Sequence, residues 1–198
     1  EKYPSLQILL ILTDQPYAGV IERAKKFTTA CEVVPRKSGM DKPAHEAAIL
    51  EVLKKHNVDW IFLAGYMRLL TPWFVDAWQG RMINIHPSLL PAYPGLKTHA
   101  RALAAGEAEA GCTVHLVTLE MDAGPILAQE STPIAPQDDA QSLHDRLATL
   151  GAKLLARTIP DYVSGKLAPR PQPLEGASYA PKIKKEDGLI DWHQPART

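Results

Sequence analysis

Residues 60–85 read WIFLAGYMRLLTPWFVDAWQGRMINI, and this stretch decides the fold class. The all-apolar run Trp60–Ala64 is typical of a strand that is covered on both faces of its sheet. Thr71 followed by Pro72 marks the start of a helix, because proline is favoured in the first helical turn. Met82–Ile85 is predicted to be the next strand. A strand, a helix and a second strand in succession indicate a parallel β-α-β unit.

The same alternation continues on both sides of this unit. The further predicted strands are Gln7–Thr13, Glu32–Val34, Cys112–Thr118 and Ile126–Glu130. The further predicted helices are Gly19–Phe27, Asp41 to about His56, Thr98–Ala105 and a long helix capped by Asp138 or Asp139. We therefore expect an α/β protein with a mostly parallel, twisted sheet, helices on both faces and an antiparallel hairpin at one side.

The composition excludes several classes of function. Twenty-two basic and 22 acidic residues give a net charge of zero, so the chain lacks the basic balance typical of nucleic-acid binding. No apolar run approaches the roughly 20 residues of a membrane span, and the start at Glu1 shows no signal peptide. Cys31 and Cys112 lie far apart, which favours reduced thiols over a disulfide framework or a zinc site. We therefore expect a cytoplasmic protein.

Asn84 and His86 are the sharpest candidates for chemistry. They stand two residues apart on a predicted strand, and alternate residues of a strand project from the same face. Both would lie at the carboxyl end of the strand, where open α/β sheets bind ligands, with Pro87 just beyond them. An amide beside an imidazole is suited to donating two hydrogen bonds to a developing oxyanion. The spacing alone also fits a strand end whose polar residues meet water.

The carboxylate of Asp122 is a second candidate, within the sequence Met121-Asp122-Ala123-Gly124-Pro125. Asp and Gly are ordinary turn residues, so this segment by itself predicts only a turn. If the fold brings Asp122 near His86, the carboxylate would favour the protonated imidazole or order a water for proton transfer.

Three stretches, in this order, resemble the folate-dependent glycinamide ribonucleotide formyltransferases. They are Leu63–Leu70, Asn84–Pro91 with the following Pro94-Gly95-Leu96, and Gly111–Gln129. The whole resemblance extends from about Leu6 to Gln129 and implies a Rossmann-like formyltransferase fold. Carried over by position, the catalytic trio of that family corresponds to Asn84, His86 and Asp122.

The resemblance also assigns residues to ligands, and it implies no metal. Two segments would wrap the pterin ring of the cosubstrate 10-formyltetrahydrofolate, and they contain Tyr66, Met67, Arg68, Leu69 and Leu70, and Val117, Glu120 and Met121. Pro87, Lys97 and His115 would stand around the amine substrate and the cleft. From its position on an alternating strand, His115 is either a cleft-facing support for His86 or a satisfied strand histidine.

The implied reaction transfers a formyl group from 10-formyltetrahydrofolate to the primary amine of glycinamide ribonucleotide, a step of purine biosynthesis. The amine would attack the formyl carbon, and protonated His86 with Asn84 would stabilise the resulting oxyanion. Asp122, with an ordered water, would move the amine proton towards the folate nitrogen. The resemblance thus predicts a small-molecule substrate, no nucleic-acid or membrane partner, and a monomer or homodimer.

Two features depart from that family. Its first strand and glycine-rich phosphate-binding turn have no counterpart, and we expect them to be missing before Glu1. Gly151 stands about where the family has a glutamate that helps to hold the ribonucleotide. We predict a catalytic domain over residues 1–166 and a proline-rich tail over residues 167–198. Segments in the C-terminal part resemble methionyl-tRNA formyltransferases instead, namely Ser142–Ala152, Ser178–Lys182 and Ile190–Trp192.

Three alternatives stay open at this point. A methionyl-tRNA or other amine formyltransferase would use the same trio, although the loop at His86-Pro87-Ser88 lacks the arginine-glycine-alanine pattern of the tRNA enzymes. A formyltetrahydrofolate hydrolase would use water in place of the amine. A non-catalytic folate-binding module would need only the pterin segments, so the joint presence of Asn84, His86 and Asp122 argues against it.

Overall fold

The computed structural model describes residues 6–173, and these form six strands and five helices. The strands are Ile11–Thr13 (β1), Cys31–Val33 (β2), Ile61–Ala64 (β3), Met82–His86 (β4), Glu109–Leu116 (β5) and Ile126–Pro133 (β6). The helices are Val20–Lys26 (α1), Lys42–Lys55 (α2), Pro72–Ala77 (α3), Thr98–Ala104 (α4) and Ala140–Val163 (α5). The predicted resemblances at residues 178–182 and 190–192 lie outside the described residues.

Side-chain caps start α2, α3 and α5 where the sequence predicts them. The Asp41 carboxylate accepts a hydrogen bond from the Ala44 N–H at 2.8 Å, which starts α2. Thr71 caps α3, and Asp139, one of the two predicted candidates, caps α5. Ser142 completes a capping box with Asp139. Among the helices of residues 6–173, none is long and apolar enough to cross a bilayer.

The strands form two sheets. β1 pairs with β2 in parallel, and the second sheet has the order β3-β4-β5-β6. β3 and β4 are parallel, whereas β5 runs antiparallel to both of its neighbours. The predicted α/β class, the parallel β-α-β unit and the antiparallel hairpin at one side are confirmed. β1 and β3 each pair with one strand among the described residues. The first strand of the family, which we expect before Glu1, stays a prediction.

Helices cover both faces of β4. Met82 is buried in a cluster with residues of α2 and α3, whereas the adjacent Ile83 is buried in a second cluster with residues of β5 and α5. Because adjacent strand residues face opposite sides, α2 and α3 lie on one face and α5 lies on the other. Asn84 and His86 alternate with Ile83 and therefore project from the same face as Met82.

The strand lengths differ from the predicted lengths. β1 contains only the last three residues of the predicted Gln7–Thr13, because β2 offers only Cys31–Val33 as pairing partners. β6 continues to Pro133, since β5 begins as early as Glu109 and pairs with it there. The residues at which these strands begin and end are thus set by pairing with a neighbouring strand and not by the length of the apolar run alone.

The segment beyond α5 returns to the hairpin. The Arg170 N–H donates to the Ile126 carbonyl at 2.8 Å, and the Ile126 N–H donates to the Arg170 carbonyl at 2.7 Å. Leu167 packs against the core cluster that α5 covers. Residues 167–173 are therefore folded onto the sheet, and the predicted domain boundary at residue 166 stays a prediction.

Candidate active site

The candidate site is built on the pairing of β4 with β5. In this antiparallel register Asn84 lies opposite His115, and His86 lies opposite Thr113. Residues directly opposite each other project from the same face of a sheet. Four polar side chains therefore share the face on which α2 and α3 also lie.

His115 is held as a neutral imidazole. Its Nδ1 lies 2.9 Å from the Leu116 carbonyl oxygen, which only accepts, so Nδ1 carries the proton. Nε2 is then an acceptor for the Asn84 amide, at 3.1 Å. Only 2% of His115 is exposed, and burial lowers the pKa of this histidine. His115 therefore orients the Asn84 amide and leaves its second N–H for another acceptor.

His86 lies between a carbonyl and a carboxylate. Its Nε2 is 3.0 Å from the Tyr93 carbonyl oxygen and donates to it. Its Nδ1 is 3.5 Å from Asp122 Oδ2, slightly beyond ordinary hydrogen-bond length, and 5% of the residue is exposed. Both ring nitrogens of His86 therefore face an oxygen acceptor, a backbone carbonyl on one side and a carboxylate on the other.

Asp122 comes from the turn between β5 and β6. Its φ is +54°, in the left-handed region, and its carboxylate lies near both His86 and His115. Oδ2 accepts a hydrogen bond from the Gly95 N–H at 2.8 Å, and Oδ1 lies 3.7 Å from His115 Nε2. The structure thus brings Asn84, His86 and Asp122 together, as the sequence predicts. Their catalytic roles stay predictions.

A buried network fixes the loop that follows His86. Thr113 Oγ1 donates to the Ser88 carbonyl at 2.7 Å and accepts from the Leu90 N–H at 3.0 Å. The Gln129 amide donates to the Leu90 carbonyl at 2.8 Å and to Thr113 Oγ1 at 2.9 Å. Gln129 and Thr113 are not among the predicted site residues. The alternation of Thr113 with His115 was the available signal.

The first predicted pterin segment follows β3. Tyr66 is half-buried, and burial raises the pKa of its phenol, as do the nearby Asp14 and Glu46 carboxylates. Arg68 is fixed, since its Nε donates to Asp14 at 2.5 Å. By contrast, Met67 is 74% exposed. Leu69 is exposed and Leu70 is half-buried.

The second predicted pterin segment follows β5. The Val117 N–H donates to the Met82 carbonyl at 2.9 Å, which ties the start of the segment to β4. Glu120 and Met121 are exposed, and the Met121 methyl group lies beside Gly95 in the loop after β4. Exposed large apolar side chains in both segments are typical of surfaces that bind a ligand.

The predicted substrate residues are placed differently from one another. His115 lies within the trio, and Pro87 lines a cavity of about 130 Å³ beneath the loop, together with Thr98 and His99. Lys97 is exposed immediately before α4. Among residues 6–173, no hydrogen bond or ion pair joins the Lys97 side chain to the trio.

Gly151 does not lie at the candidate site. A Cβ atom at this position would lie 2.8 Å from Ile85 Cδ1 and 3.3 Å from Cys112 Sγ. Ile85 projects from the face that α5 covers, opposite to Asn84 and His86. Gly151 therefore packs between α5 and the sheet, and its correspondence to a ribonucleotide-binding glutamate of the family stays a prediction.

The fold and the site define an α/β protein that carries an amide, an imidazole and a carboxylate at the end of a central strand. The Formyl transferase family matches residues 2–159, and the chain belongs to that family. It is 44% identical over 144 residues to the phosphoribosylglycinamide formyltransferase of Bacillus subtilis, covering 73% of this chain and 74% of that protein. A crystal structure of the phosphoribosylglycinamide formyltransferase from Bacillus halodurans superposes with a TM-score of 0.77, 36% identity, and 83% and 84% coverage.

Other relatives are longer than the region they share with this chain. The trifunctional purine biosynthetic protein adenosine-3 of Chironomus tentans is 42% identical over 141 residues, which cover 71% of this chain and 10% of that protein. Methionyl-tRNA formyltransferases are also similar, and this chain spans about half of their length, as with the 48% covered in the protein of Trichlorobacter lovleyi.

Proposed function

We propose that this chain transfers a formyl group from 10-formyltetrahydrofolate to the primary amine of glycinamide ribonucleotide. One observation carries the proposal: the carboxylate of Asp122 lies 3.5 Å from Nδ1 of His86 and 3.7 Å from Nε2 of His115, which accepts from the Asn84 amide. This arrangement provides hydrogen-bond donors for a developing oxyanion and a carboxylate that supports the charged donor. The similarity to phosphoribosylglycinamide formyltransferases supports the choice of substrates.

The chemistry follows from the hydrogen-bonding state of each group. The amine attacks the formyl carbon, and the carbonyl oxygen becomes an oxyanion that receives the free N–H of Asn84 and the Nδ1–H of His86. The gap of 3.5 Å between His86 Nδ1 and Asp122 Oδ2 is long enough for this N–H to be shared with a bound oxygen. Asp122, through a water, moves the amine proton towards the folate nitrogen that leaves.

The folate would occupy the two exposed segments that flank the trio. The apolar side chains of Met67, Leu69 and Met121 would contact the pterin ring, and backbone groups of Arg68, Leu70 and Val117 would hydrogen-bond to it. Tyr66 and Glu120 belong to the same two segments. Pro87, Lys97 and His115 would stand on the side of the amine substrate. No metal is needed for this reaction, and a cytoplasmic location stays a prediction.

Methionyl-tRNA is the second candidate acceptor. The similarity to methionyl-tRNA formyltransferases and the sequence of α5 favour it. The net charge of zero and the loop sequence His86-Pro87-Ser88 favour the small substrate instead. Hydrolysis of the formyl group by water is the third reaction to compare.

A formyl-transfer assay with 10-formyltetrahydrofolate as donor tests the function. We expect turnover with glycinamide ribonucleotide, and much slower reaction with methionyl-tRNA or with water alone. His86→Ala removes one oxyanion donor and should lower kcat by roughly 10²–10³-fold. His56→Ala is the matched control, since His56 ends α2 and contacts Glu32, away from the trio.

Each outcome of this assay has a defined meaning. Equal turnover by the native chain and by the His86→Ala variant would overturn the proposed roles of the trio. Folate binding with turnover of methionyl-tRNA alone would replace the acceptor and keep the trio. Binding of folate without any transfer or hydrolysis would indicate a binding module.

A further inference from the structure

A side chain far along the sequence clamps the turn that carries Asp122. The Gln172 amide nitrogen donates to the Asp122 carbonyl at 2.7 Å and to the Gly124 carbonyl at 2.8 Å. A primary amide has two N–H groups, and both are used on this one turn. The first acceptor is the backbone carbonyl of Asp122, and the carboxylate of the same residue faces His86.

Gln172 is presented by a stiff segment. The bridge between Arg170 and Ile126 fixes the chain two residues earlier, through two backbone hydrogen bonds. Pro171 and Pro173 flank Gln172, and the fixed φ of proline stiffens the segment. Beyond the bridge at Arg170, the Gln172 side chain makes the next hydrogen bonds with the turn.

External contacts hold Asp122 in an uncommon backbone conformation. Asp122 adopts a φ of +54°, in the left-handed region, which few residues other than glycine adopt, although Asp tolerates it better than most. The one other hydrogen bond that holds the Asp122 residue in this position runs from the Gly95 N–H to its side chain, among the residues that the structure describes. Gln172 thus holds the backbone carbonyl of Asp122, and Gly95 holds its side-chain carboxylate.

We propose that Gln172 is a positioning residue that holds the Asp122 carboxylate between His86 and His115 through the Asp122 and Gly124 carbonyls. The inference rests on the proposed function for its kinetic readout only. Without the clamp, the turn would relax from the left-handed conformation, and the carboxylate would move away from both imidazoles. The 3.5 Å and 3.7 Å separations to His86 and His115 would lengthen.

The kinetic test replaces Gln172 with Met in the full chain, which keeps the length of the side chain and removes both donors. We expect kcat to fall roughly 10- to 100-fold, because small displacements of a catalytic group are costly. Gln141→Met is the matched control, since Gln141 is exposed on α5 and its side chain donates a hydrogen bond to Asp145, away from the trio. It should keep the native kcat.

A double-mutant cycle separates positioning from a merely structural role. In an Asp122→Asn background the carboxylate is gone, so Gln172→Met should have less than a twofold further effect on kcat. An equal fold-loss in both backgrounds would overturn the proposal, as would a native kcat in Gln172→Met. Melting curves of each variant check that the chain is folded.

A second readout does not depend on turnover. Burial lowers the pKa of His115, the hydrogen bond to the Leu116 carbonyl and the Asp122 carboxylate raise it, and the nearby His86 lowers it. Moving the carboxylate away should therefore lower the pKa of His115 further, which an NMR titration of the full chain measures. An unchanged titration in Gln172→Met would overturn the clamp. If the native chain transfers no formyl group but this pKa still falls, the proposed function fails and the clamp stands.

Discussion

At the scale of single residues, each polar side chain of the site has its hydrogen-bonding state set by one neighbour. The Leu116 carbonyl fixes the proton of His115 on Nδ1, and His115 in turn fixes the orientation of the Asn84 amide. The Tyr93 carbonyl fixes a proton of His86 on Nε2. Since carbonyl groups cannot change their role, the donors that face a ligand are predetermined.

Thr113→Val tests the network beneath this arrangement. Valine keeps the shape but removes a fully buried hydroxyl, which leaves the Leu90 N–H buried without its acceptor. We expect urea denaturation to show a loss of about 2–4 kcal/mol in the free energy of unfolding. Thr149→Val on the exposed side of α5 should change it by less than about 0.5 kcal/mol. Similar losses in the two variants would contradict the role of this network.

Asp122→Asn tests the charge of the carboxylate and keeps its size. The Asn side chain can still accept from the Gly95 N–H, so the turn should keep its shape. We expect formyl transfer to slow by roughly 10²-fold or more and its pH dependence to flatten. Rates measured between about pH 5 and 9 check this, with Asp145→Asn on α5 as a control. A native pH profile in Asp122→Asn would remove the carboxylate from proton transfer.

At the scale of elements, the turn between β5 and β6 is held by backbone packing as well as by side chains. A Cβ atom at Gly124 would lie 1.8 Å from the Leu116 carbonyl oxygen. The Leu116 N–H in turn donates to the Pro125 carbonyl at 2.9 Å. This close approach lets the turn fold back over the face that carries Asn84 and His86.

Gly124→Ala should therefore move the whole turn. Because the obstructing atom belongs to the backbone, the strain cannot be relieved by a change of rotamer. We expect a loss of about 1–3 kcal/mol in stability and a loss of roughly 10²-fold in formyl transfer. Gly19→Ala, where nothing lies within 4 Å, is the control and should keep native activity. Native activity in Gly124→Ala would show that the turn is adaptable.

Local patterns in the sequence predict the elements, but they do not predict which elements meet. The spacing of Asn84 and His86 on β4 predicts that they share a face, because the period of a strand is fixed. The register that sets His115 against Asn84 depends on a connection of more than 20 residues between the strands, which includes α4, and no local pattern encodes it. The contact of Gln172 with Asp122 spans 50 residues and likewise has no local signal.

At the scale of the whole molecule, two histidines with lowered pKa couple stability to pH. Burial lowers the pKa of His115, and burial together with His144 and His86 lowers the pKa of His99. In the unfolded chain both would titrate near pH 6.5. As the pH falls below that value, the unfolded state binds protons that the folded state does not bind. The free energy of unfolding must therefore decrease, until the pH reaches the folded pKa values.

His115→Gln measures the share of His115 in this effect. We expect the native chain to lose stability between about pH 7 and 5, with a slope of up to roughly 1.4 kcal/mol per pH unit for each uncompensated proton. The variant should be less stable at pH 7, because glutamine does not reproduce both contacts of the imidazole with Leu116 and Asn84. The dependence of its free energy of unfolding on pH should nevertheless be shallower, since the unfolded variant no longer takes up a proton at position 115. Urea denaturation at several pH values distinguishes the two effects, and parallel curves for the native chain and the variant would mean that His115 is not kept neutral by burial.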